Sequence, residues 1–337
     1  MKPDLTRRDF IKFGLMSLGA AALLPDESPL SFSKKPRYMR VGEKAGVSIY
    51  REPDEKSAIM YTRPYNDIIT VYDEVVGPNG PSWNPIWFRC WGGYVFSGLL
   101  YEVKYELQEV ASEIREGGQL GEITMPYTRS YFYSSYEGWM PMYLLHYRSA
   151  HWVVDLIEGP DKKPWYTLLD ELISVKYSIP AEHMRLIPDG ELKPINSGIP
   201  LGEKLIKVNL ARQSLDAYEG DTLVFSTKIS SGSPTPEGTY NIQIKMPSKH
   251  MGNGKLTGWD LAREYVGVPW NCFFEMTEGM ATHGAFWHTN FGTPMSAGCL
   301  NMSIDDSKWL YLWTTPVPDP SNWATHGYGT PIQISLR

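Results

Sequence analysis

A cysteine and two histidines near the C-terminus have the residue types and spacing for nucleophilic catalysis. Cys299 follows His283 by sixteen positions and His288 by eleven, and Gly298 directly precedes it. An imidazole within hydrogen-bond reach of a thiol can take its proton, which makes the sulfur a nucleophile near neutral pH. Glycine beside a nucleophile allows a tight turn that aims backbone N–H groups at an oxyanion. The pattern therefore predicts a cysteine nucleophile with a nearby base, and Ser296 belongs to the same run.

This run resembles the catalytic domain of the L,D-transpeptidases. The signature of that family is His-Gly followed downstream by Ser-His-Gly-Cys and then by Asn or Arg, and the matching residues here are His283, Gly284, Ser296, Gly298, Cys299 and Asn301. Residues 204–215, 218–220 and 230–240 resemble the first strands and the Thr-Pro-x-Gly turn of the same domain. One position departs from the family, because Ala297 stands where the family has a histidine.

The resemblance implies a β-sandwich-like catalytic domain in a mainly β chain, with the cysteine on a loop at its edge. It maps the base onto His283, whose ring is expected to be oriented by the carbonyl of Gly284, and His288 stays as the alternative base. The backbone N–H groups of Gly298 and Cys299 are expected to hold the oxyanion. Ser296 is predicted to help orient the site. The five residues predicted to contact the substrate are His288, Asn290, Asn301, Trp287 and Met251.

A zinc site is the alternative for the same cysteine and histidines. His-x4-His with a distant cysteine is not a usual zinc-ligand spacing, so no metal is predicted. No organic cofactor is predicted either, because an acyl-enzyme conserves the energy of the bond that it breaks.

The resemblance implies peptidoglycan stem peptides and glycan as partners. Cys299 would attack the carbonyl of the third stem residue, release the terminal D-residue, and pass the acyl group to an amine of a neighbouring stem. Beta-lactams of the carbapenem class are the expected covalent inhibitors. Two alternatives remain: water could empty the acyl-enzyme, giving a carboxypeptidase or endopeptidase, or Ala297 could mark an inactive copy kept as a wall-binding module.

Composition limits the class of protein. The chain has 337 residues, enough for two or three domains, and its 12 Trp and 21 Tyr favour a folded, β-rich structure. A net charge of −6 without a basic run argues against a nucleic-acid partner. Cys90 and Cys272 are predicted to be small buried residues, because a bridge between them would have to join two modules.

The N-terminus resembles a twin-arginine export signal over residues 1–25. Arg7 and Arg8 are followed by Phe10 and by an uncharged stretch, 13–24, that is too short for an ordinary membrane-spanning helix. The three alanines at 20–22 offer a cleavage site. We therefore expect export to the cell envelope, in the periplasm or cell wall, and an uncleaved signal would tether the protein to the membrane.

Short aromatic and β-branched runs predict two small β modules before the catalytic domain. Residues 36–107 resemble a bacterial SH3-like barrel, and residues 118–195 are predicted to be a second copy, in which Trp152–Ile157 corresponds to the run at Ile68 and Pro164–Leu168 to the run at Trp87. Residues 105–115 are predicted to be a short helix or a linker.

The catalytic domain is predicted at 202–337. Strands are expected at 204–210, 222–229, 239–245 and 330–335, with a rigid turn at 232–238. Ser303 and Asp306 have the spacing of a helix cap, so a helix is predicted directly after the cysteine motif.

Overall fold

Antiparallel β-sheets dominate the computed structural model, which describes residues 35–233, 235–252 and 265–336. The predicted export signal, residues 1–25, lies outside the described residues. Pro36–Arg337 forms one compact unit. Within the described ranges, no helix has the length and apolar character needed to cross a membrane.

The first module is a seven-stranded sheet. In chain order its strands are β1 Arg37–Val41, β2 Val47–Tyr50, β3 Ile59–Arg63, β4 Ile68–Val76, β5 Ile86–Cys90, β6 Gly93–Phe96 and β7 Leu100–Val103. Neighbouring strands follow the order β3-β2-β6-β5-β4-β1-β7. Alternate residues of β4, such as Ile69 and Val71, are buried, because successive side chains of a strand point to opposite faces.

The second module repeats this topology strand for strand. Its strands are β8 Gln119–Ile123, β9 Tyr127–Ser134, β10 Gly138–His146, β11 Ala150–Glu158, β12 Pro164–Asp170, β13 Val175–Pro180 and β14 Met184–Leu186. Their order, β10-β9-β13-β12-β11-β8-β14, matches the first sheet when seven is added to each strand number. The run at Trp152 lies in β11 and takes the place of β4, so the two sheets repeat one strand order.

The connection between the modules is a linker. Its backbone N–H groups donate across to the second module instead of along the chain, with Glu106 bonded to the Thr124 carbonyl at 3.2 Å and Gln108 to the Glu182 carbonyl at 2.8 Å. Residues 104–111 consequently contain no regular secondary structure.

The described residues of the C-terminal domain form two five-stranded sheets and one α-helix. The first sheet contains β15 Lys204–Asn209, β16 Ser214–Glu219, β17 Thr222–Lys228, β18 Gly238–Asn241 and β24 Pro331–Ser335. The second contains β19 Ile244–Met251, β20 Tyr265–Glu275, β21 Met280–Gly284, β22 Leu300–Met302 and β23 Thr325–His326. Both sheets contribute to one hydrophobic core, together with helix α1, Ile304–Trp313.

The prediction of one strand over 239–245 is wrong. The chain changes sheets at this point, because the Ile242 N–H donates to the Thr330 carbonyl beside the first sheet, whereas the Gln243 N–H donates to the Phe273 carbonyl of β20. Strands β18 and β19 are therefore separate elements.

Helix α1 begins where the sequence predicts. The Ser303 hydroxyl accepts the Asp306 N–H at 3.1 Å and caps the first turn. At the other end, the buried ammonium groups of Lys204 and Lys245 donate to the carbonyls of Trp313 and Thr314, each at 2.7 Å. Cations are favourable at this negative end of the helix dipole, although burial lowers the pKa of Lys245 to about 8.

Candidate active site

A cleft of about 920 Å³ holds both chemically active side chains, Cys299 and His283. His283 belongs to β21, and Cys299 lies in the turn that enters the edge strand β22. These strands pair in parallel, with His283 opposite Asn301. Residues sixteen positions apart are therefore brought together because the chain leaves one strand and returns beside it.

The Cys299 thiol is partly buried in the cleft wall. Burial raises its pKa, and a hydrogen bond from the Ala281 backbone offsets only part of that effect. The sulfur lies 4.0 Å from the Gly279 carbonyl oxygen. The thiol is consequently protonated at neutral pH and needs a base before it can attack.

His283 has the surroundings of such a base. Its Nδ1 lies 3.2 Å from the Gly284 carbonyl oxygen, which is the contact that the sequence predicts. An Nδ1–H that donates to this carbonyl leaves Nε2 as the basic nitrogen. Burial lowers the pKa of His283 to about 4, so the ring is neutral at pH 7. Gly284 itself has no room for a side chain, because a Cβ there would lie 2.7 Å from the Ser307 hydroxyl of α1.

The Ser296 hydroxyl holds the turn before Cys299 by hydrogen bonds to the backbone on both sides of Gly298. The Ser296 hydroxyl accepts the Gly298 N–H at 3.1 Å and donates to the Cys299 carbonyl at 2.5 Å. Gly298 has φ +142°, a conformation that favours glycine. Because the Gly298 N–H is bonded to Ser296, the expectation that it holds an oxyanion is corrected. The Cys299 N–H remains the candidate donor.

Thr235 supports the cysteine turn, a role that the sequence does not predict. Its hydroxyl donates to the Gly298 carbonyl at 2.7 Å and accepts the Gly232 N–H at 3.0 Å. Gly232 approaches so closely that a Cβ there would lie 2.2 Å from the Gly298 nitrogen. Thr235 begins the Thr-Pro-x-Gly turn, so this turn supports the cysteine turn directly.

Three of the five predicted substrate contacts line the cleft, and two do not. Met251, Trp287 and Asn301 lie on its surface. His288 does not line the cleft, and its Nε2 lies 3.1 Å from the side-chain nitrogen of Asn301, so it lies behind that lining residue. Asn290 turns away and accepts a hydrogen bond from the Trp83 indole at 3.2 Å. Direct substrate contact by these two residues is therefore contradicted by their positions.

The environment of His288 also bears on its role as the alternative base. Burial lowers its pKa to about 3, with a smaller contribution from the charge of His283. Since the side chain lies outside the cleft wall, His283 is the histidine that a substrate in the cleft can meet.

Other strands, and the chain next to the two catalytic residues, contribute the remaining walls of the cleft. The added lining residues include Tyr240, Tyr265, Glu275, Glu278, Met280 and Met295. Tyr265 stacks on Trp287 with ring centroids 4.1 Å apart, and Trp287 in turn packs against His283 at 5.8 Å. The sequence gives no local signal for Tyr240 or Tyr265, because only the fold brings β18 and β20 to Cys299.

The other two cysteines, Cys90 and Cys272, are buried and free. They lie in β5 and β20, in different sheets. In the described part of the chain, no three His, Cys, Asp or Glu side chains are grouped so that they could hold a metal ion.

Comparison with known proteins identifies the C-terminal domain. The family model of the L,D-transpeptidase catalytic domain matches residues 203–334. The curated protein sequences give no match.

Three solved structures illustrate the similarity. The L,D-transpeptidase from Mycobacterium smegmatis is 16% identical over 69% of this chain and 100% of its own, with a TM-score of 0.31. The catalytic domain from the Enterococcus faecium L,D-transpeptidase, acylated by ertapenem, is 22% identical over 40% and 97%, with a TM-score of 0.29. For residues 123–326 of the enzyme from Xylanimonas cellulosilytica, identity is 20% over 39% of this chain and 60% of that chain, with a TM-score of 0.28.

These TM-scores are low, and the assignment depends on the family model. The modules in front of the matched region are β-rich, and their family is unassigned. Residues 203–334 are an L,D-transpeptidase catalytic domain, of a family of cysteine enzymes that act on peptidoglycan.

Proposed function

We propose that this chain is an exported L,D-transpeptidase whose nucleophile is Cys299 and whose base is His283. The observation that carries the proposal is the meeting of these two side chains in one cleft of the matched domain. We further propose that carbapenems acylate Cys299 of this chain; the Enterococcus faecium catalytic domain is one that ertapenem acylates.

The chemistry follows from the two neutral groups. His283 Nε2 removes the thiol proton as the sulfur attacks the carbonyl of the third stem residue. The Cys299 N–H stabilises the oxyanion, for which one such donor contributes about 3 kcal/mol. The terminal D-residue leaves as an amine and takes its proton from His283. A thioester remains on Cys299.

An amine then empties the acyl-enzyme. It loses a proton to His283, attacks the thioester carbonyl, and releases the Cys299 thiolate, which recovers the proton. Glu275 and Glu278 are the charged side chains among the described lining residues, and two carboxylates raise the local concentration of a cationic amine, which loses one proton to water and then attacks as the neutral amine. This charge favours an amine acceptor over water.

The pKa values of the pair give the reaction a characteristic pH dependence. With a pKa of about 4, the His283 ring is already neutral, and so free to accept a proton, from about pH 5 upward. Burial raises the pKa of the Cys299 thiol, so its fraction of thiolate keeps growing as the pH rises. Acylation is expected to accelerate with pH, without a titration step near pH 6.5.

The decisive experiment is incubation of the purified protein with a stem tetrapeptide and a D-amino acid. An exchanged tetrapeptide supports the transpeptidase, a trimmed tripeptide indicates the carboxypeptidase alternative, and no product leaves the inactive wall-binding module. Cys299→Ser should abolish both products with an unchanged fold. Cys90→Ser, a change of another free cysteine in the first module, is the matched control and should keep full activity.

The N-terminal features are proposals of the same kind. The β modules, which we propose to be SH3-like, would contact glycan or stem peptides and keep the enzyme at the envelope. Export is proposed to follow the twin-arginine route. Replacing Arg7 and Arg8 with Lys keeps the charge and should leave the precursor inside the cell, and normal export of that variant would rule the route out.

A further inference from the structure

The first β module holds the chain segment that connects His283 to Cys299. The Thr289 N–H donates to the Gly98 carbonyl at 3.1 Å, and the Thr289 hydroxyl lies 3.1 Å from the Ser97 carbonyl oxygen. The next residue, Asn290, accepts the Trp83 indole N–H. The segment is thus bound to a different module from the one that contains it.

Arg40 of β1 makes the deepest of these contacts. Its side chain is fully buried, and its Nη2 donates to the Phe286 carbonyl. Nη1 donates to the Asn66 side-chain oxygen at 3.0 Å, and the same oxygen lies 3.1 Å from Nε2 of His146, a residue of the second module. Arg40 therefore lies where both modules and the catalytic domain meet.

A guanidinium in this position is costly. Its nitrogens bond to a backbone carbonyl, an amide oxygen and the Tyr65 side chain, none of which is a carboxylate, and its Nε is buried without a hydrogen-bond partner in the described part of the chain. Removing a cation from water without a carboxylate partner costs free energy. An apolar side chain of similar volume would pack at this position equally well. The charged guanidinium is therefore explained by the hydrogen bonds that it donates.

Phe286 connects Arg40 to the cleft. Its ring stacks on His146 at 5.5 Å and packs edge-on against Trp287 at 5.1 Å. Trp287 lines the cleft and packs against the His283 ring. A donor on the Phe286 carbonyl therefore fixes the backbone from which the cleft wall beside the base is built.

We propose that Arg40 is a positioning residue for the catalytic segment, and that the first β module is part of the scaffold of the active site. Arg40 touches no substrate and acts through the Phe286 carbonyl. The inference rests on the proposed function for its kinetic consequence, whereas its structural consequence can be measured without any activity.

The test compares three variants of the full chain. Arg40→Met keeps the volume and removes both donors, and Arg40→Lys keeps the charge but cannot reach two acceptors at once. Arg37→Met is the matched control, since Arg37 lies on the same strand and makes surface ion pairs with Glu74 and Glu102. For each, hydrogen exchange is followed by mass spectrometry, and the maximal rate of Cys299 acylation by a carbapenem is measured.

We expect Arg40→Met to speed exchange in the peptide that covers 285–290, with the sheets unchanged, and to lower the maximal acylation rate by about tenfold or more. Arg40→Lys should lie between it and the wild type, and Arg37→Met should match the wild type. Wild-type exchange and acylation in Arg40→Met would overturn the proposal. Faster exchange over all sheets would also overturn it, because Arg40 would then be a general stability residue.

Failure of the proposed function gives a different result. In that case the wild type forms no carbapenem adduct and does not exchange the D-amino acid of the stem tetrapeptide. The proposal about Arg40 is then decided by hydrogen exchange alone: selective loosening of 285–290 in Arg40→Met supports it, and unchanged exchange there overturns it.

Discussion

Gly298→Ala tests whether the shape of the cysteine turn is needed for chemistry. Gly298 has φ +142°, where a residue with a Cβ is strained. Two hydrogen bonds oppose relaxation of the turn, because the Gly298 N–H donates to the Ser296 hydroxyl and the Gly298 carbonyl accepts from the Thr235 hydroxyl. Rotating either peptide group would break a hydrogen bond with a net contribution of about 1 kcal/mol.

The magnitude follows from the strain. A residue held in such a conformation costs about 1–3 kcal/mol. If that energy separates the relaxed turn from the reactive one, and each 1.36 kcal/mol is a factor of ten, acylation slows by roughly 5- to 150-fold. The substitution leaves the thiol and both histidines in place, so the loss reports on geometry.

The assay is the rate of carbapenem acylation by intact-mass spectrometry, with thermal unfolding measured in parallel. Gly138→Ala is the matched control: this glycine of the second module also has a positive φ, +75°, and nothing lies within 4 Å of the added Cβ. It should lose a little stability and acylate normally. Equal acylation rates in Gly298→Ala and the wild type would refute the reasoning.

Three further predictions follow from individual contacts. Thr235→Val removes the donor to the Gly298 carbonyl and should slow carbapenem acylation by up to about tenfold, a rise of roughly 1.4 kcal/mol in the activation free energy. An unchanged acylation rate would mean that Ser296 alone holds the turn. Burial lowers the pKa of His151 to about 3, so below about pH 6.5 the unfolded chain binds a proton there that the folded chain does not, and the free energy of unfolding falls as the pH drops. In urea unfolding between pH 6.5 and 4.5, His151→Gln should reduce the dependence of this free energy on pH by up to about 1.4 kcal/mol per pH unit. An identical dependence in the variant and the wild type would contradict the assignment. Ala297→His should change carbapenem acylation less than about tenfold, because the oxyanion donor is a backbone group; acylation only in the variant would show that the native chain is inactive.

Local patterns in the sequence determined much of this protein. The spacing of His283 and Cys299, the helix cap at Ser303 and the repeated strand runs were all readable, because each depends on residues close together in the chain. The base could be placed beside the Gly284 carbonyl for the same reason, since the two are neighbours.

Tertiary structure alone decided which side chains surround the thiol. His288 and Asn290 belong to the readable motif, yet they face Asn301 and Trp83 instead of the cleft, because the connecting segment is bound from outside by the first module. Thr235 reaches the cysteine turn from another strand connection. Contacts between residues far apart in the chain produce no local pattern in its sequence. The burial of Arg40 and the positions of Tyr240 and Tyr265 in the cleft lining can therefore be seen only in the tertiary structure.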